Sequence, residues 1–299
     1  MGSDLLQKSN SALVALTVDL HQWDDPADIR FCSEWLARAG IEATFFVPSE
    51  MFTQGQYSDG LRRLKDFGHE VGSHSHFHDA TEIYQLTRGD RSGLGFLHDS
   101  KKMYEDFFGA SPDAFRSPCW CKLGRGALET LQDLGYRIDS SVTPQRLCFM
   151  GSLPYQSSWF FASRRVRYLC PGLLEIPSSA LIVPASSTAF RIMRGFSTLF
   201  VRSLLWEAQR FSDMVVTLEF HPEDFNPDSK RLWVWNQLKP SDFLLRRIGG
   251  FGFRHYLQES NYRRISEKAR SLVRLLSKHR MRTLSQIHQM VSDSEHHKG

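Results

Sequence analysis

The sequence predicts an α/β fold built on a parallel sheet or barrel. Apolar, strand-like runs alternate with amphipathic, helix-like stretches almost throughout. Ionisable residues recur at the carboxyl ends of those runs, where parallel sheets and barrels assemble their sites. With 299 residues the chain can bury one large core, so a single domain over 1–299 is expected. Its motif-bearing part covers 12–222, and a helical, basic region follows over 223–299.

Residues 12–19, ALVALTVD, form a continuous apolar run ending in an acid, as a strand buried on both faces does. A helix is expected over 26–39, with Asp24 or Asp25 as cap, Pro26 early and Gly40 as the stop. Residues 43–47, ATFFV, are a second strand, and 61–67 a helix closed by Gly68. Residues 70–73 make a third strand, 96–108 a helix, 114–116 a strand, 125–134 a helix and 137–139 a strand. The middle, 144–212, is less regular: a strand pair or extended segment around PGLLEIPSSALIV, then a helical stretch around 190–210. VVTLEF at 215–220 reads as a buried strand. An amphipathic helix over 260–278, a strand over 281–284 and a short terminal helix close the pattern.

The net charge of +4 is too small to imply nucleic acid. Eleven Lys/Arg against two acids between Arg246 and Arg282 could face an anionic surface, although a solvated helix face is the plainer expectation. The five cysteines, Cys32, Cys119, Cys121, Cys148 and Cys170, are odd in number and scattered, which argues for reduced thiols. No apolar run reaches membrane-spanning length, and residues 1–11 lack a secretory pattern, so a cytoplasmic location is the expectation.

Five ionisable residues stand at strand ends: Asp19, His74, Arg116, Asp139 and His221. In His74-Ser75-His76-Phe77-His78, two histidines four apart would point the same way from a helical turn and share one metal ion. His76 falls between them and should point elsewhere. A metal so held polarises an amide carbonyl and acidifies a water. Asp19 can take the proton from that water, with Arg116 holding the carboxylate ionised. His221 can protonate the departing amine, and Asp139 can keep His221 charged.

At these residues the chain resembles the polysaccharide deacetylase, or NodB-homology, family, also called carbohydrate esterase family four. The resemblance rests on Thr17-Val18-Asp19-Leu20, His74 to His78, Arg116-Ser117-Pro118-Cys119-Trp120, Asp139-Ser140-Ser141 and Leu218-Glu219-Phe220-His221. It implies a distorted (β/α)7 barrel, one divalent ion, with zinc favoured, Asp19 as general base and His221 as general acid. It also implies Arg116 and Asp139 as their tuning partners. The Cys119 N–H would face the oxyanion beside Trp120, and Leu218 would line an acyl-methyl pocket.

One position departs from that pattern. The family's metal-binding Asp directly after the base is Leu20 here, and leucine cannot ligate. In a branch of the family the ligand lies two residues after the base, which is His21 in this chain. His21, His74 and His78 would then form a zinc-type site; Asp24, Asp25 or water are the alternatives to His21. The implied function is removal of an N-acyl group, N-acetyl first, from an amino sugar in a glycan precursor. Lipid-linked or nucleotide-linked sugars are the expected carriers. Alternatives are a deformylase acting on a lipid-linked amino sugar, and a decayed carbohydrate-binding or scaffold protein. The stretch 190–206 interleaves Phe, Leu, Ile and Trp with Arg191, Arg194 and Arg202. It suggests peripheral contact at the inner membrane face, set against the simpler role of a barrel helix.

Overall fold

The computed structural model describes residues 11–144, 161–181, 183–229 and 265–296. Within them the chain runs β1 (Leu13–Asp19), α1 (Pro26–Arg38), β2 (Thr44–Val47), α2 (Gly55–Asp66), β3 (Glu70–Ser73), α3 (Ala80–Arg88) and α4 (Gly95–Phe108). β4 (Ala114–Phe115), α5 (Arg125–Asp133), β5 (Ile138–Asp139), β6 (Arg167–Cys170), β7 (Leu173–Glu175), β8 (Ala180–Leu181) and β9 (Val183–Pro184) follow. Then come α6 (Ser187–Met193), α7 (Ser197–Ala208), β10 (Val216–Phe220), α8 (Ile265–Leu276), β11 (Arg280–Met281) and α9 (Leu284–His296). Cys148 and residues 246–264 of the basic stretch lie outside the described residues.

The strands order as β10-β1-β2-β3-β4-β5-β7-β6, with β11 beside β1. Seven of those on the main path (β10, β1, β2, β3, β4, β5 and β7) are mutually parallel, β11 pairs parallel with β1, and β6 is an antiparallel edge. This is the curled, distorted (β/α)7 sheet. No ladder joins β7 to β10. The chain leaving β7 spans the gap instead: Ser179 N donates to Thr217 O at 3.0 Å, and Glu219 N donates to Ala185 O at 3.0 Å. Thr217 N donates to Ser179 Oγ at 2.9 Å.

Period-two alternation sorts each strand between two cores. Along β1, Val14, Leu16 and Val18 pack outward with the helices, in a cluster that includes Leu36 of α1, Leu64 of α2 and Leu204 of α7. Leu13 and Ala15 point inward, where Phe46, Ile138 and Leu174 meet Leu284, Ile287 and Val291 of α9. Thr17 and Asp19 continue that inward face toward the carboxyl ends of the strands. Gly72 on β3 lies where a Cβ would come 2.8 Å from the Phe46 ring. The missing side chain leaves room for that ring, over which the Arg116 guanidinium sits at 4.3 Å.

Two local expectations differ from the structure. Residues 74–78 are not a helical turn: they form a loop in which Ser75 (φ 69°) and His78 (φ 55°) take left-handed backbone. A helix not expected from the sequence, α3, follows. Its apolar period is short, with Ile83 and Leu86 as the buried anchors, but Asp79 caps it by accepting from Glu82 N.

Candidate active site at the carboxyl ends of the strands

His21, His74 and His78 converge, each offering a ligand atom, and those atoms all lie within 4.8 Å of one another. His74 leaves β3 with its N–H bonded to Val47 O. Its Nδ1 pairs with Arg116 O at 2.9 Å, which turns Nε2 toward the cluster. The loop carrying His78 is fixed by Glu82. That carboxylate accepts from Ser75 Oγ at 2.9 Å, Phe77 N at 2.9 Å and His78 N at 3.0 Å. His76 points away, to Ser49 Oγ at 2.6 Å.

His21 occupies a turn between β1 and α1. Its N–H donates to Asp24 Oδ2 at 2.8 Å, and Tyr57 Oη donates to Gln22 O and Asp24 O behind it. Leu20 is buried in the outer core, so His21 returns to the side of Asp19. Asp25, an alternative ligand, accepts from Ala27 N as the cap of α1. Asp24 Oδ2 takes the His21 amide and lies 3.6 Å from His21 Nδ1. Burial, reinforced by the neighbouring His21 ring, pushes His74 and His78 well below the usual histidine range. Neutral rings keep the lone pairs that a metal takes. The three imidazoles, with His21 Nδ1 a buried nitrogen that has no hydrogen-bond partner among the described residues, fit a divalent ion of the zinc type.

Asp19 stands beside this cluster at the end of β1. Arg116 Nη1 donates to Asp19 Oδ1 at 2.7 Å and to Thr17 Oγ1 at 2.8 Å. Its Nε and Nη2 donate to Ser140 O and Ser140 Oγ, so the fully buried guanidinium joins β1, β4 and the end of β5. The ion pair leaves Asp19 acceptor capacity toward the mouth.

His221 follows β10 and stacks on the His21 ring at 5.1 Å. Its expected partner is not the one the structure supplies. Asp139 accepts from Ser141 Oγ and adjoins Glu175, its register partner on β7. An oxygen of Glu219 instead lies 3.4 Å from His221 Nε2, and Asp224 Oδ2 accepts from His221 N at 2.9 Å. Asp224 is itself held by Ser187 Oγ and the Arg191 guanidinium. Burial, with Asp19 and Asp224 nearby, raises Glu219 well above the usual carboxyl range, which favours its protonated form. Burial and His21 push His221 well below its ordinary value, so the ring is neutral rather than held charged by Asp139.

Leu218 is also corrected. It pairs with Leu16 on the outward face of β10 and is buried in the core between sheet and helices, so it does not line an acyl pocket. Period two explains this: Thr217 and Glu219 take the inward positions. Cys119 sits at the apex of a tight turn with φ 52°, closed by Trp120 N to Ser117 O and Cys121 N to Pro118 O. Cys119 and Trp120 are both half-buried there.

Trp23, Glu82 and Glu219 also belong to the site, although composition and spacing alone did not single them out. Trp23 is 54% exposed and stacks on His21 at 4.8 Å with 12° between the rings. An aromatic two residues after His21, and an Asp-x-x-Glu cap after the His motif, were the available signals.

A curled parallel sheet with imidazoles, a guanidinium and carboxyl groups gathered at one mouth defines an α/β-barrel protein with a hydrolase-like site. Residues 7–138 match the family profile described as Polysaccharide deacetylase, and the chain is similar to that family through this segment. It is 29% identical over 143 residues to a chitin deacetylase of Colletotrichum lindemuthianum, covering 46% of this chain and 54% of that one. The chain thus spans about half the length of this curated relative. In fold it resembles a polysaccharide-deacetylase-type structure from Mycobacterium smegmatis, with a TM-score of 0.59 at 16% identity over 97% of this chain and 93% of that one. A peptidoglycan deacetylase structure, PdaC of Bacillus subtilis, aligns over 41% of this chain and 56% of its own at 25% identity and a TM-score of 0.35.

Proposed function

We propose that the protein is a metal-dependent hydrolase that removes an N-acyl group, acetyl first, from an amino sugar in a glycan precursor. The observation carrying this reading is the His21, His74 and His78 cluster beside an Asp19 held by Arg116. A divalent ion bound by the three imidazoles would supply carbonyl polarisation and an acidified water.

The chain's own residues do the rest. Asp19, held in place by Arg116, takes the proton of the attacking water. The turn at Cys119 presents backbone toward the developing oxyanion, with Trp120 beside it. His221 gives a proton to the departing amine from Nδ1, while Nε2 draws its replacement from the Glu219 carboxyl. The C–O bond forms from the water oxygen and the C–N bond breaks, so the acyl group leaves as a carboxylic acid and the sugar as a free amine, which exchange a proton in solvent; the proton gained by Asp19 balances the one lost by Glu219. Trp23 offers an exposed ring face above His21 on which a pyranose can stack.

The test is acyl release from N-acetylglucosamine oligomers and from lipid-linked and nucleotide-linked N-acetyl and N-formyl amino sugars, with and without chelator. Metal content is measured in parallel. Acetate release that chelation stops and zinc restores supports the reading. Formate release alone would make the protein a deformylase. Metal-free protein that binds sugar without turnover would make it a binding protein.

A further inference from the structure

We propose that the outer face of α7 docks on an anionic lipid surface, an inference independent of the chemistry proposed for the site. Helix α7 is apolar on two faces. Phe200, Val201, Leu204, Leu205 and Ala208 pack into the outer core. The opposite stripe is in solvent, with Phe196 74%, Leu199 63% and Trp206 57% exposed. A helix apolar all round is normally covered on every side. Together with Arg202 and Arg210, these residues step by three or four and so share one face.

The charges in the stripe select the occupant. Arg202 and Arg210 are exposed, and among the described residues neither pairs with a carboxylate. The Arg210 guanidinium lies over the Trp206 ring. The nearby acids are spent: Glu207 is bound by Arg164, and Asp213 by Arg165. The stripe is therefore aromatic, aliphatic and cationic, the composition of a helix lying in a lipid headgroup layer. A second copy is disfavoured by the same residues, because a twofold contact would bring four guanidinium groups with no carboxylate partner among the described residues into one interface. The amino end of α7 lies next to α6, which Asp224 ties to the His221 turn, so docking would bring the site mouth to the lipid headgroups.

Co-sedimentation of the full chain with phosphatidylcholine vesicles, with and without phosphatidylglycerol, tests this. The protein should pellet with phosphatidylglycerol vesicles and only weakly without them. Leu199→Ser with Trp206→Ser, and separately Arg202→Glu with Arg210→Glu, should each lower partitioning by about tenfold or more with thermal melting unchanged. No pelleting of the wild type, or wild-type partitioning by the charge-reversed pair, would overturn the proposal. So would a dimer seen by light scattering that Trp206→Ser disrupts while vesicles recruit nothing.

Discussion

The Glu82 carboxylate accepts the backbone N–H of His78 at 3.0 Å, so the first turn of α3 holds His78 by its main chain. The same carboxylate takes Ser75 Oγ and Phe77 N, fixing a loop with two left-handed residues. Glu82→Ala is expected to lower zinc affinity by about tenfold or more, because supporting residues carry that much of a site's affinity. Competition with a chelating dye reads it. Unchanged affinity would show that the loop holds itself.

Replacing His21 by Ala is expected to weaken zinc binding by about tenfold or more, and Asp in its place should restore it. Isothermal titration of the apoprotein checks both. Full zinc affinity in His21→Ala would pass the third position to Asp24 or water.

Asp19→Asn should keep the fold and the metal but lose on the order of 10² or more in turnover. Elemental analysis alongside kinetics separates the outcomes. Near-normal turnover would remove Asp19 as base, and loss of metal would make it a ligand.

Trp23→Ala should raise KM several-fold with little change in kcat, since a stacking face binds substrate and transition state alike. A matched fall in kcat with unchanged KM would instead give the indole a part in positioning His21, on which it stacks.

His69 gives a pH dependence remote from the site. Its Nδ1 accepts from Ala43 N at 3.2 Å, and its Nε2 lies 3.1 Å from Ser33 O. Burial pulls its pKa below the ordinary 6.5. The unfolded chain then binds the proton first as pH falls. The stabilisation is complete above 6.5 and is lost as pH drops from there toward the folded value. Melting temperature should therefore fall less between about pH 7.5 and about pH 5.5 in His69→Gln than in wild type. Equal slopes would show that His69 contributes nothing.

Much of the architecture was legible because hydrophobic period and strand-end acids are local. β1 ends on Asp19 and β3 ends just before His74, as their sequences imply. The pairing of Arg116 with Asp19 was readable as chemistry, although the two are far apart in the chain. What failed was facing and partnership. Leu218 and Glu219 are adjacent, and only the register with Leu16 and Thr17 decides which one turns inward. Asp139 lay at a strand end like the others, but Glu175 on the next strand claimed it, a contact set by sheet order rather than by any motif. The His motif reached one site by way of two left-handed residues and a buried carboxylate, not through helical spacing.

The unladdered gap between β7 and β10 has a consequence for the breadth of the cleft. On one bank stand Asp139 and Glu175, on the other Glu219 and His221, and the segment between them crosses on the bonds of Ser179 and Ala185. Everywhere else the spacing of neighbouring strands is dictated by main-chain pairing. Here it depends on the length and side chains of one connecting segment. Insertions or substitutions there can widen or narrow the opening without disturbing a single rung elsewhere, which makes this the place where accommodation of larger or smaller ligands can be tuned most cheaply.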